Sequence, residues 1–307
     1  MKVLVTGGAG FIGSHVVDRC VEAGHDVAVV DDLSTGRREQ VHAAARLRVA
    51  DIRNPALDDV FRAETPEAVI HLAAQASVGR SVANPHLDAD INIMGSINLL
   101  ECCRRAGARR VVYVSTGGAG YGNTNVIPTP EDHPARPVSP YGVSKVAAEV
   151  YLGCWEALHG LRGITLRLAN IYGPRQDPHG EAGVVAIFTD RLLRGEPCMI
   201  NGDGLQTRDY VYVGDVADAA LLALERSEVT GPVNIGTGVE TSVVSLFERL
   251  RAAAGCRGEA RHGPPRPGEQ RRSLLDASRA RGVLGWVPRV TLDEGLRRTV
   301  AAVRARG

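Results

Sequence analysis

Short apolar runs alternate with amphipathic helical stretches along the first half of the chain. The run at 2–6 leads into a glycine-rich turn and then into a helix whose apolar residues recur at helical spacing as far as Gly24. The run at 26–31 is continuously hydrophobic inside, as expected for a strand covered on both faces. The pattern further predicts strands at 47–50, 68–72, 110–115 and 164–168 and helices at 55–63, 85–106 and 141–159.

Strand–helix alternation of this kind predicts an α/β fold with a doubly wound parallel sheet. Ligands of such sheets bind beyond the carboxyl ends of the strands. We therefore expect the segments that follow the strands to face one crevice. These segments are the glycine turn after residue 6, Asp31, Asp51, Ala73, Ser115 and Asn170.

The turn Gly7-Gly8-Ala9-Gly10-Phe11-Ile12-Gly13 has the spacing of a dinucleotide-binding loop. It lies between a strand and a helix, and Asp31 ends the next strand 18 positions after Gly13, which is the context that this fingerprint requires. Its glycines allow the backbone to approach a pyrophosphate at the helix N-terminus, where free N–H groups favour anions. Asp31 is expected to bind the adenosine ribose and to disfavour a 2′-phosphate, so we predict NAD. Arg37 and Arg38 keep NADP as the alternative.

The pattern changes after Tyr172, where Gly173-Pro174-Arg175 interrupts the alternation and loops rich in Gly and Pro follow. We predict an NAD-binding Rossmann domain at residues 1–172 and a smaller α/β substrate lobe at 173–307. Strand-like runs within 208–236 are candidates for strands that return to the first domain.

The composition argues against several classes of function. A formal net charge of +1 gives no field that would favour nucleic acid or an anionic membrane. The arginine-rich stretch 257–272 has no aromatic side chain to stack on bases, and is either a solvated loop or a contact for a substrate phosphate. No apolar run approaches the ~18 residues of a membrane span, and the N-terminal run is too short for a signal peptide. Six scattered cysteines indicate reduced thiols in the cytoplasm, and nine unclustered histidines predict no metal site.

Tyr141 and Lys145 are four residues apart in a predicted helix, which places the phenol and the ammonium on one face. The chain has 36 Lys and Arg residues, but lysine occurs only at positions 2 and 145. Lysine differs from arginine in being a compact charge whose pKa shifts readily on burial. The pair is therefore our candidate for a reacting centre. The alternative is that Lys145 is a solvated residue on a helix face.

Several motifs resemble the extended short-chain dehydrogenase/reductases. They are Thr6 with the glycine turn, His71-Leu72-Ala73-Ala74, Tyr141 with Lys145, and Arg208-Asp209-Tyr210-Val211. Asn170, Tyr172-Gly173-Pro174-Arg175 and Arg266-Pro267-Gly268-Glu269 narrow the resemblance to nucleotide-sugar enzymes, nearest to the UDP-glucose 4-epimerases. The resemblance extends over essentially the whole chain.

The resemblance implies an NAD site and a UDP-sugar site. The implied cofactor-binding residues are Gly7, Gly10, Phe11, Ile12, Gly13, Asp31, Asp32, Asp51, Ile52, Ala73, Asn92, Ser115, Tyr141 and Lys145. The implied substrate-binding residues are Asn170, Val185, Met199, Asn201, Arg208, Arg266 and Glu269. The resemblance also implies a homodimer formed through the two long helices, with Leu99, Cys103 and Trp155 as candidates for the dimer contact or for the subunit core.

The implied activity is NAD-dependent 4-epimerisation of UDP-hexoses. Tyr141, as a phenolate, would remove the proton of the sugar 4-hydroxyl while hydride leaves C4, and the 4-keto sugar would then take hydride back on its other face. A free tyrosine has a pKa of about 10, so ionising it at neutral pH requires about 4 kcal/mol of preference for the phenolate. Lys145 and the positive nicotinamide are the expected sources of that preference.

One position departs from the epimerase pattern. The epimerases usually place a Ser or Thr hydroxyl four residues before the tyrosine of a Tyr-Gly pair. That pair is Tyr121-Gly122 here, and Gly117 occupies the hydroxyl position. We expect Thr116, one residue earlier, to supply this hydroxyl as the third catalytic group beside Tyr141 and Lys145, unless Tyr141 acts with less help.

Related activities are the alternatives. The 4,6-dehydratases carry an Asp-Glu pair after the threonine, and decarboxylating relatives carry a glutamate where Ala119 stands, whereas this chain has Gly117-Gly118-Ala119. UDP-glucose and UDP-galactose are the default substrates. Ser273 would leave room for an N-acetyl group, and Arg175 with Arg271 would favour a uronate, as in a UDP-glucuronate 4-epimerase. A dehydratase or reductase of the same superfamily and a non-catalytic NAD-binding regulator are the remaining alternatives.

Overall fold

The computed structural model describes residues 1–179, 183–265 and 270–305. The strands are β1 Lys2–Thr6, β2 Asp26–Asp31, β3 Arg46–Val49, β4 Ala68–His71, β5 Arg110–Thr116, β6 Arg162–Leu168, β7 Asn170–Tyr172, β8 Cys198–Asn201, β9 Thr207–Tyr212, β10 Gly231–Ile235, β11 Glu240–Ser242, β12 Ala260–Gly263 and β13 Arg272–Ser273. The α-helices are α1 Phe11–Glu22, α2 Leu57–Glu64, α3 Val78–Ala83, α4 Pro85–Ala89, α5 Gly95–Ala106, α6 Gly117–Tyr121, α7 Pro140–His159, α8 Val184–Leu193, α9 Val213–Glu225, α10 Val243–Ala254 and α11 Leu292–Arg304. A 3-10 turn lies at Arg38–Gln40, and π-helical turns lie at Asp90–Met94 and Ala280–Leu284.

Seven parallel strands form the large sheet in the order β10-β6-β5-β4-β1-β2-β3. Successive residues of β1 point to opposite faces, so that Val3 and Val5 pack in one apolar core and Leu4 packs in the other. Helices α1 and α9 cover the first core, and α2, α5 and α7 cover the second. The predicted α/β fold with a doubly wound parallel sheet is therefore confirmed.

The order of the strands places the crevice at the centre of the sheet. The chain adds β2 and β3 on one side of β1 and then crosses to add β4, β5 and β6 on the other. Thr6, the last residue of β1, lies in register with Val30 of β2 and His71 of β4. The segments that follow these strands therefore meet at one edge, which is where ligands of such sheets bind.

The helix predicted at 85–106 is interrupted. It consists of α4, the π-helical turn Asp90–Met94 and α5, and the π turn contains the buried Asn92. A π turn inserts one residue into the helical repeat, which changes the side chains that face inward and often marks a functional position. Hydrophobic periodicity alone does not reveal such an insertion. None of the described helices has both the length and the apolar character needed to cross a membrane.

A second group of elements packs beside the large sheet. Strands β11, β9 and β13 form a small sheet that β7 joins through β9, and β8 pairs with β12. Helices α8, α10 and α11 share an apolar core with these strands. Within the segment 208–236, β10 joins the large sheet beside β6, whereas β9 belongs to the small one. The domain boundary at 172/173 stays a prediction.

The side chain of Arg110 fastens the end of α9 to the large sheet. Arg110 lies at the start of β5 and is only 4% exposed. Its Nε and Nη2 donate to the Ala223 carbonyl at 3.1 and 2.6 Å, and Nη2 also donates to the Arg226 carbonyl at 3.1 Å. Its Nη1 donates to the carbonyls of Ser227 and Val229 at 3.3 and 2.7 Å. One guanidinium thus satisfies carbonyl groups at the end of α9 and in the turn that follows it.

Replacing Arg110 by methionine is expected to lower the free energy of unfolding by about 2–4 kcal/mol, because buried carbonyl groups lose their donors. The matched control is Arg109→Met, at the neighbouring exposed position, where the change should stay within about 0.5 kcal/mol. Urea denaturation of both variants measures the difference. Equal stability of the two variants would contradict the role given to Arg110.

Candidate active site

Two positions of the loop after β1 have room for glycine only. Gly7 has a φ of +69°, and a Cβ there would lie 2.7 Å from the Ala73 nitrogen. A Cβ on Gly13 would lie 2.0 Å from the Gly7 oxygen. Gly10 precedes α1 in an extended conformation and gives the helix no side-chain cap, so the first residues Phe11 and Ile12 present their backbone N–H groups at an uncovered helix N-terminus. This arrangement fits a pyrophosphate.

The carboxylate of Asp31 holds the glycine loop against β2. Its Oδ2 accepts from the Ala9 N–H and its Oδ1 accepts from the Leu33 N–H, both at 2.9 Å. Burial raises the pKa of Asp31, and the neighbouring charge of Asp32 raises it further, while these hydrogen bonds oppose the rise. Arg37, the cation considered for a 2′-phosphate, lies 3.4 Å from the carboxylate of Asp177. The adjacent carboxylates of Asp31 and Asp32 at the end of β2 can accept hydrogen bonds from ribose hydroxyls but would repel a 2′-phosphate. This agrees with the prediction of NAD rather than NADP.

Asp51 and Ile52 lie at the same edge of the sheet, after β3. Both carboxylate oxygens of Asp51 accept from Arg53 Nε at 3.0 Å, and this arginine lowers the pKa of Asp51. The Ile52 side chain is 5% exposed, and its carbonyl accepts from Asn98 Nδ2 at 2.7 Å. The carboxylate is thus held by the chain's own arginine, and Ile52 offers an apolar wall.

A capping serine and a proline begin α7. Ser139 Oγ accepts from the Gly142 N–H at 3.2 Å, and Pro140 occupies the first turn, where no N–H is needed. One turn of helix then separates Tyr141, which is partly exposed, from Lys145, which is 3% exposed. Lys145 Nζ lies 4.3 Å from the centre of the Tyr113 ring and donates no hydrogen bond to any described residue. Lys145 is therefore buried, and the alternative of a solvated surface lysine is wrong.

Burial sets the pKa of both members of the pair. It lowers the pKa of Lys145 to about 7, against the opposing charges of Glu149 and Asp88. It raises the pKa of Tyr141 to about 12, and the charge of Asp88 adds to the rise. The side chains of the protein alone therefore do not produce the expected ionisation of Tyr141 near neutral pH. A further positive charge beside the phenol is required.

A directed chain of hydrogen bonds joins the glycine loop to the π turn. The Ala73 N–H donates to Thr6 Oγ1 at 3.3 Å, and that hydroxyl lies 2.7 Å from His71 Nδ1. His71 Nε2 lies 3.0 Å from Ser96 Oγ, which donates to the Asn92 carbonyl at 2.6 Å. Because Ser96 uses its proton on Asn92, we assign the proton of His71 to Nε2. Burial lowers the pKa of His71 to about 3, so this histidine is a neutral link in the chain of hydrogen bonds.

Asn92 continues this connection to the helix of the reacting pair. Its Oδ1 accepts from the Gln75 N–H at 2.8 Å, and its Nδ2 donates to Ser144 Oγ at 3.0 Å. Ser144 Oγ in turn donates to the Tyr141 carbonyl at 3.0 Å. The amide of Asn92 thus bonds within the protein and helps to fix the position of Tyr141. The contact of Asn92 with the cofactor stays a prediction.

Ser115 also points into the protein. Its Oγ donates to Glu149 Oε1 at 2.5 Å, and Glu149 Oε2 accepts from Arg167 Nη2 at 2.7 Å. Arg167 Nη1 donates to the Tyr121 hydroxyl at 2.9 Å. The hydroxyl of Ser115 is therefore held by a partly buried ion pair, and only the rest of the residue is available to line the cofactor site.

Thr116, which is expected to supply the catalytic hydroxyl, is the last residue of β5. Its Oγ1 caps α6 by accepting from the Ala119 N–H at 3.4 Å, which leaves the hydroxyl proton available for donation. A Cβ on Gly117 would lie 2.6 Å from a methyl group of Leu275. A side chain at the usual hydroxyl position would therefore require Leu275 to shift.

The residues predicted to bind the substrate occupy the neighbouring strands and α8. Asn170 begins β7 opposite Tyr210 of β9, and Arg208 lies two positions before Tyr210, on the same face of β9. Val185 is buried in the core of the second group of elements, Met199 is 46% exposed on β8, and Asn201 is half-buried at the end of β8. Arg266 and Glu269 lie outside the described residues.

The sequence interpretation missed three charged groups near α7, one of them buried and two partly buried. They are Asp88 in α4 and the ion pair of Glu149 with Arg167. Asp88 lies four residues before Asn92, and Glu149 lies four residues after Lys145, so helical spacing was the available signal. Leu99 and Cys103, considered for a dimer contact, are fully buried in the core of the subunit.

Comparison with known proteins agrees with this geometry. The model of the NAD dependent epimerase/dehydratase family matches residues 3–236. UDP-glucose 4-epimerase of Mycolicibacterium smegmatis is 49% identical over 309 residues, covering 99% of each chain. The crystal structure of UDP-glucose 4-epimerase from Thermotoga maritima with UDP-glucose has a TM-score of 0.96 and 50% identity, covering 100% of this chain and 99% of that one. The enzyme from Thermus thermophilus in complex with NAD has a TM-score of 0.95 and 46% identity over 100% of both chains.

These matches confirm the resemblance to UDP-glucose 4-epimerases and the prediction of NAD as the cofactor. The likeness covers the glycine loop, the Tyr141–Lys145 helix and the strands that carry Asn170 and Arg208. The chain therefore belongs to the NAD-dependent epimerase/dehydratase family.

Proposed function

We propose that the protein is an NAD-dependent 4-epimerase of UDP-hexoses, with UDP-glucose and UDP-galactose as its default substrates. The observation that carries the proposal is a buried lysine one helical turn from a tyrosine that borders the crevice, at the strand edge that also bears the glycine loop and Asp31. Relatives that are about half identical over their full length are named for this reaction.

NAD, when bound, supplies a hydride acceptor and donor at C4 of the sugar. Tyr141 takes the proton of the 4-hydroxyl as the carbonyl forms and returns it when the alcohol re-forms. Lys145, kept as an ammonium, provides one of the positive charges that favour the phenolate. The Thr116 hydroxyl donates a hydrogen bond to the sugar 4-oxygen. Asn170 and Arg208 hold the diphosphate while the keto sugar rotates to present its other face.

The surroundings of the site favour epimerisation over the alternatives. The helix that begins after Thr116 consists of Gly117-Gly118-Ala119-Gly120-Tyr121 and carries no carboxylate for elimination or decarboxylation. Arg175, considered for a uronate, pairs with Asp18 at 2.7 Å, and Arg271 pairs with Asp203 at 2.8 Å. These ion pairs support a neutral hexose rather than a uronate. The presence of both Tyr141 and Lys145 argues against a non-catalytic regulator.

We also propose that the protein is a cytoplasmic homodimer. Val143, Val150 and Leu158 lie on one face of α7 and are 51%, 67% and 67% exposed. Met94, between α4 and α5, is 56% exposed. A row of exposed apolar residues along a long helix favours pairing with a second copy of the same face. Sedimentation analysis giving the mass of a monomer would refute the dimer.

Tyr141→Phe is expected to retain NAD but to lose turnover by about 10³-fold or more, because no other group accepts the 4-hydroxyl proton. The matched control is Tyr151→Phe, in the same helix, which should keep normal turnover. Interconversion of UDP-galactose and UDP-glucose without added NAD measures activity, and the released nucleotide measures the cofactor. Near-normal activity of Tyr141→Phe would refute the proposed function.

Thr116→Val is expected to lower turnover by about 10²-fold, because a donor to the sugar oxygen is lost. Thr116→Ser keeps the hydroxyl and should remain within threefold of the unaltered protein. The same interconversion assay compares the two, with thermal unfolding as a check on the cap of α6. Equal loss in both variants would remove Thr116 from the mechanism.

The unaltered protein is expected to gain stability relative to Lys145→Met as the pH rises from 7 towards 10. The folded-state pKa of Lys145, about 7, lies below the unfolded value of about 10.4. Between these values the unfolded chain binds the proton and the folded chain does not, so the free energy of unfolding of the unaltered protein rises with pH. Methionine does not titrate, so this rise should be absent from Lys145→Met. Denaturation of Lys145→Met and of the exposed control Lys2→Met across this range measures it, and a stability difference between the unaltered protein and Lys145→Met that does not change with pH would contradict the account.

A further inference from the structure

Asp88 is a buried carboxylate in α4, a helix that packs against α7, and it is only 1% exposed. Its Oδ1 accepts from Gln75 Nε2 at 2.7 Å and from Asn92 Nδ2 at 3.2 Å. Its Oδ2 is buried and has no hydrogen-bond partner among the described residues. A carboxylate buried in this way is costly unless a positive charge nearby offsets it.

The charged groups around α7 show which cation can do so. Helix α4 packs against α7, which carries Lys145 and Glu149. Glu149 is already paired with Arg167 at 2.7 Å. Lys145 has no ion pair with any described residue. It is therefore the buried cation left to balance Asp88.

Other titratable groups near Lys145 carry no charge at neutral pH. Tyr113 of β5 faces its ammonium, and burial raises the pKa of Tyr113 well above its usual range. His71 of β4 is neutral, because burial lowers its pKa to about 3. Tyr141 lies on the same helix, and its pKa of about 12 keeps it protonated in the protein alone.

We propose that Asp88 is a positioning residue that keeps Lys145 in its charged form and fixes Asn92 against the helix of the reacting pair. The catalytic consequence rests on the proposed epimerase function. Asp88 acts on the position of Tyr141 through the hydrogen bonds from Asn92 to Ser144 and from Ser144 to the Tyr141 carbonyl. It acts on the protonation of Lys145 through its negative charge.

The direction of that charge effect agrees with the proposal. Burial lowers the pKa of Lys145, and Asp88 together with Glu149 opposes this lowering. Asp88 therefore opposes the loss of the lysine proton that burial favours. The same charge makes the phenolate of Tyr141 less favourable, so the benefit of Asp88 is the charged lysine and not direct activation of the tyrosine.

The proposal can be tested by titrating Lys145 directly, because the chain has only two lysines. Protein labelled with ¹³C at lysine Cε gives signals from Lys2 and Lys145 only, and Lys2→Arg assigns them. Asp88→Asn keeps an acceptor for Gln75 and Asn92 but removes the charge. The Lys145 titration midpoint, near pH 7 in the unaltered protein, should fall by about one pH unit in Asp88→Asn. Bound NAD is quantified in every sample, so that variants are compared in the same cofactor state.

The matched control is Asp90→Asn, two residues further along the chain, where the exposed carboxylate pairs with Arg53 and the Lys145 midpoint should not move. The alkaline limb of the turnover–pH profile should shift downward in Asp88→Asn alone. An unchanged Lys145 midpoint in folded Asp88→Asn overturns the proposal. If Asp88→Asn does not fold, Asp88→Ser tests the same shift. The titration needs no turnover, so an inactive unaltered protein would refute the epimerase while leaving this test intact.

Discussion

Burial of the Lys145 ammonium is the constraint on which the site depends. An ammonium withdrawn from water is costly, and here its pKa falls to about 7. The protein offsets the cost with the Tyr113 ring at 4.3 Å and with the charges of Glu149 and Asp88. An arginine would stay charged and would present a planar fork rather than a compact charge. This difference gives a physical reason for a lysine at this position in a chain whose other cations are nearly all arginine.

The large sheet brings the required groups to that lysine. Parallel strands end at one edge, so the glycine loop, Asp31 and Ala73 meet beyond β1, β2 and β4. Hydrogen bonds from Ala73 through Thr6, His71 and Ser96 then reach the π turn. Asn92 and Ser144 complete the connection to α7. The loop that fits a pyrophosphate and the helix that carries the reacting pair are therefore held in one rigid arrangement.

The sequence predicted those parts of the fold and of the site that depend on the local pattern of residues. Continuous apolar runs and glycine spacing were enough for the parallel sheet and the dinucleotide loop, and residue scarcity drew attention to Lys145. It did not predict features that depend on contacts between distant segments. The π turn at Asp90–Met94, the inward hydroxyl of Ser115 and the packing of Leu275 against Gly117 each arise from the tertiary fold. Burial raises the pKa of Tyr141 to about 12 in the protein alone, so its ionisation near neutral pH depends on the positive nicotinamide as well as on Lys145.

The central claim is that hydrogen leaves C4 of a UDP-hexose and returns to the same carbon. The most direct measurement uses UDP-galactose carrying deuterium at C4, incubated with the protein in ordinary water without added NAD. The account predicts UDP-glucose that retains the deuterium at C4, with no net formation of NADH. Loss of the deuterium to solvent, or its accumulation in NADH, would contradict the account.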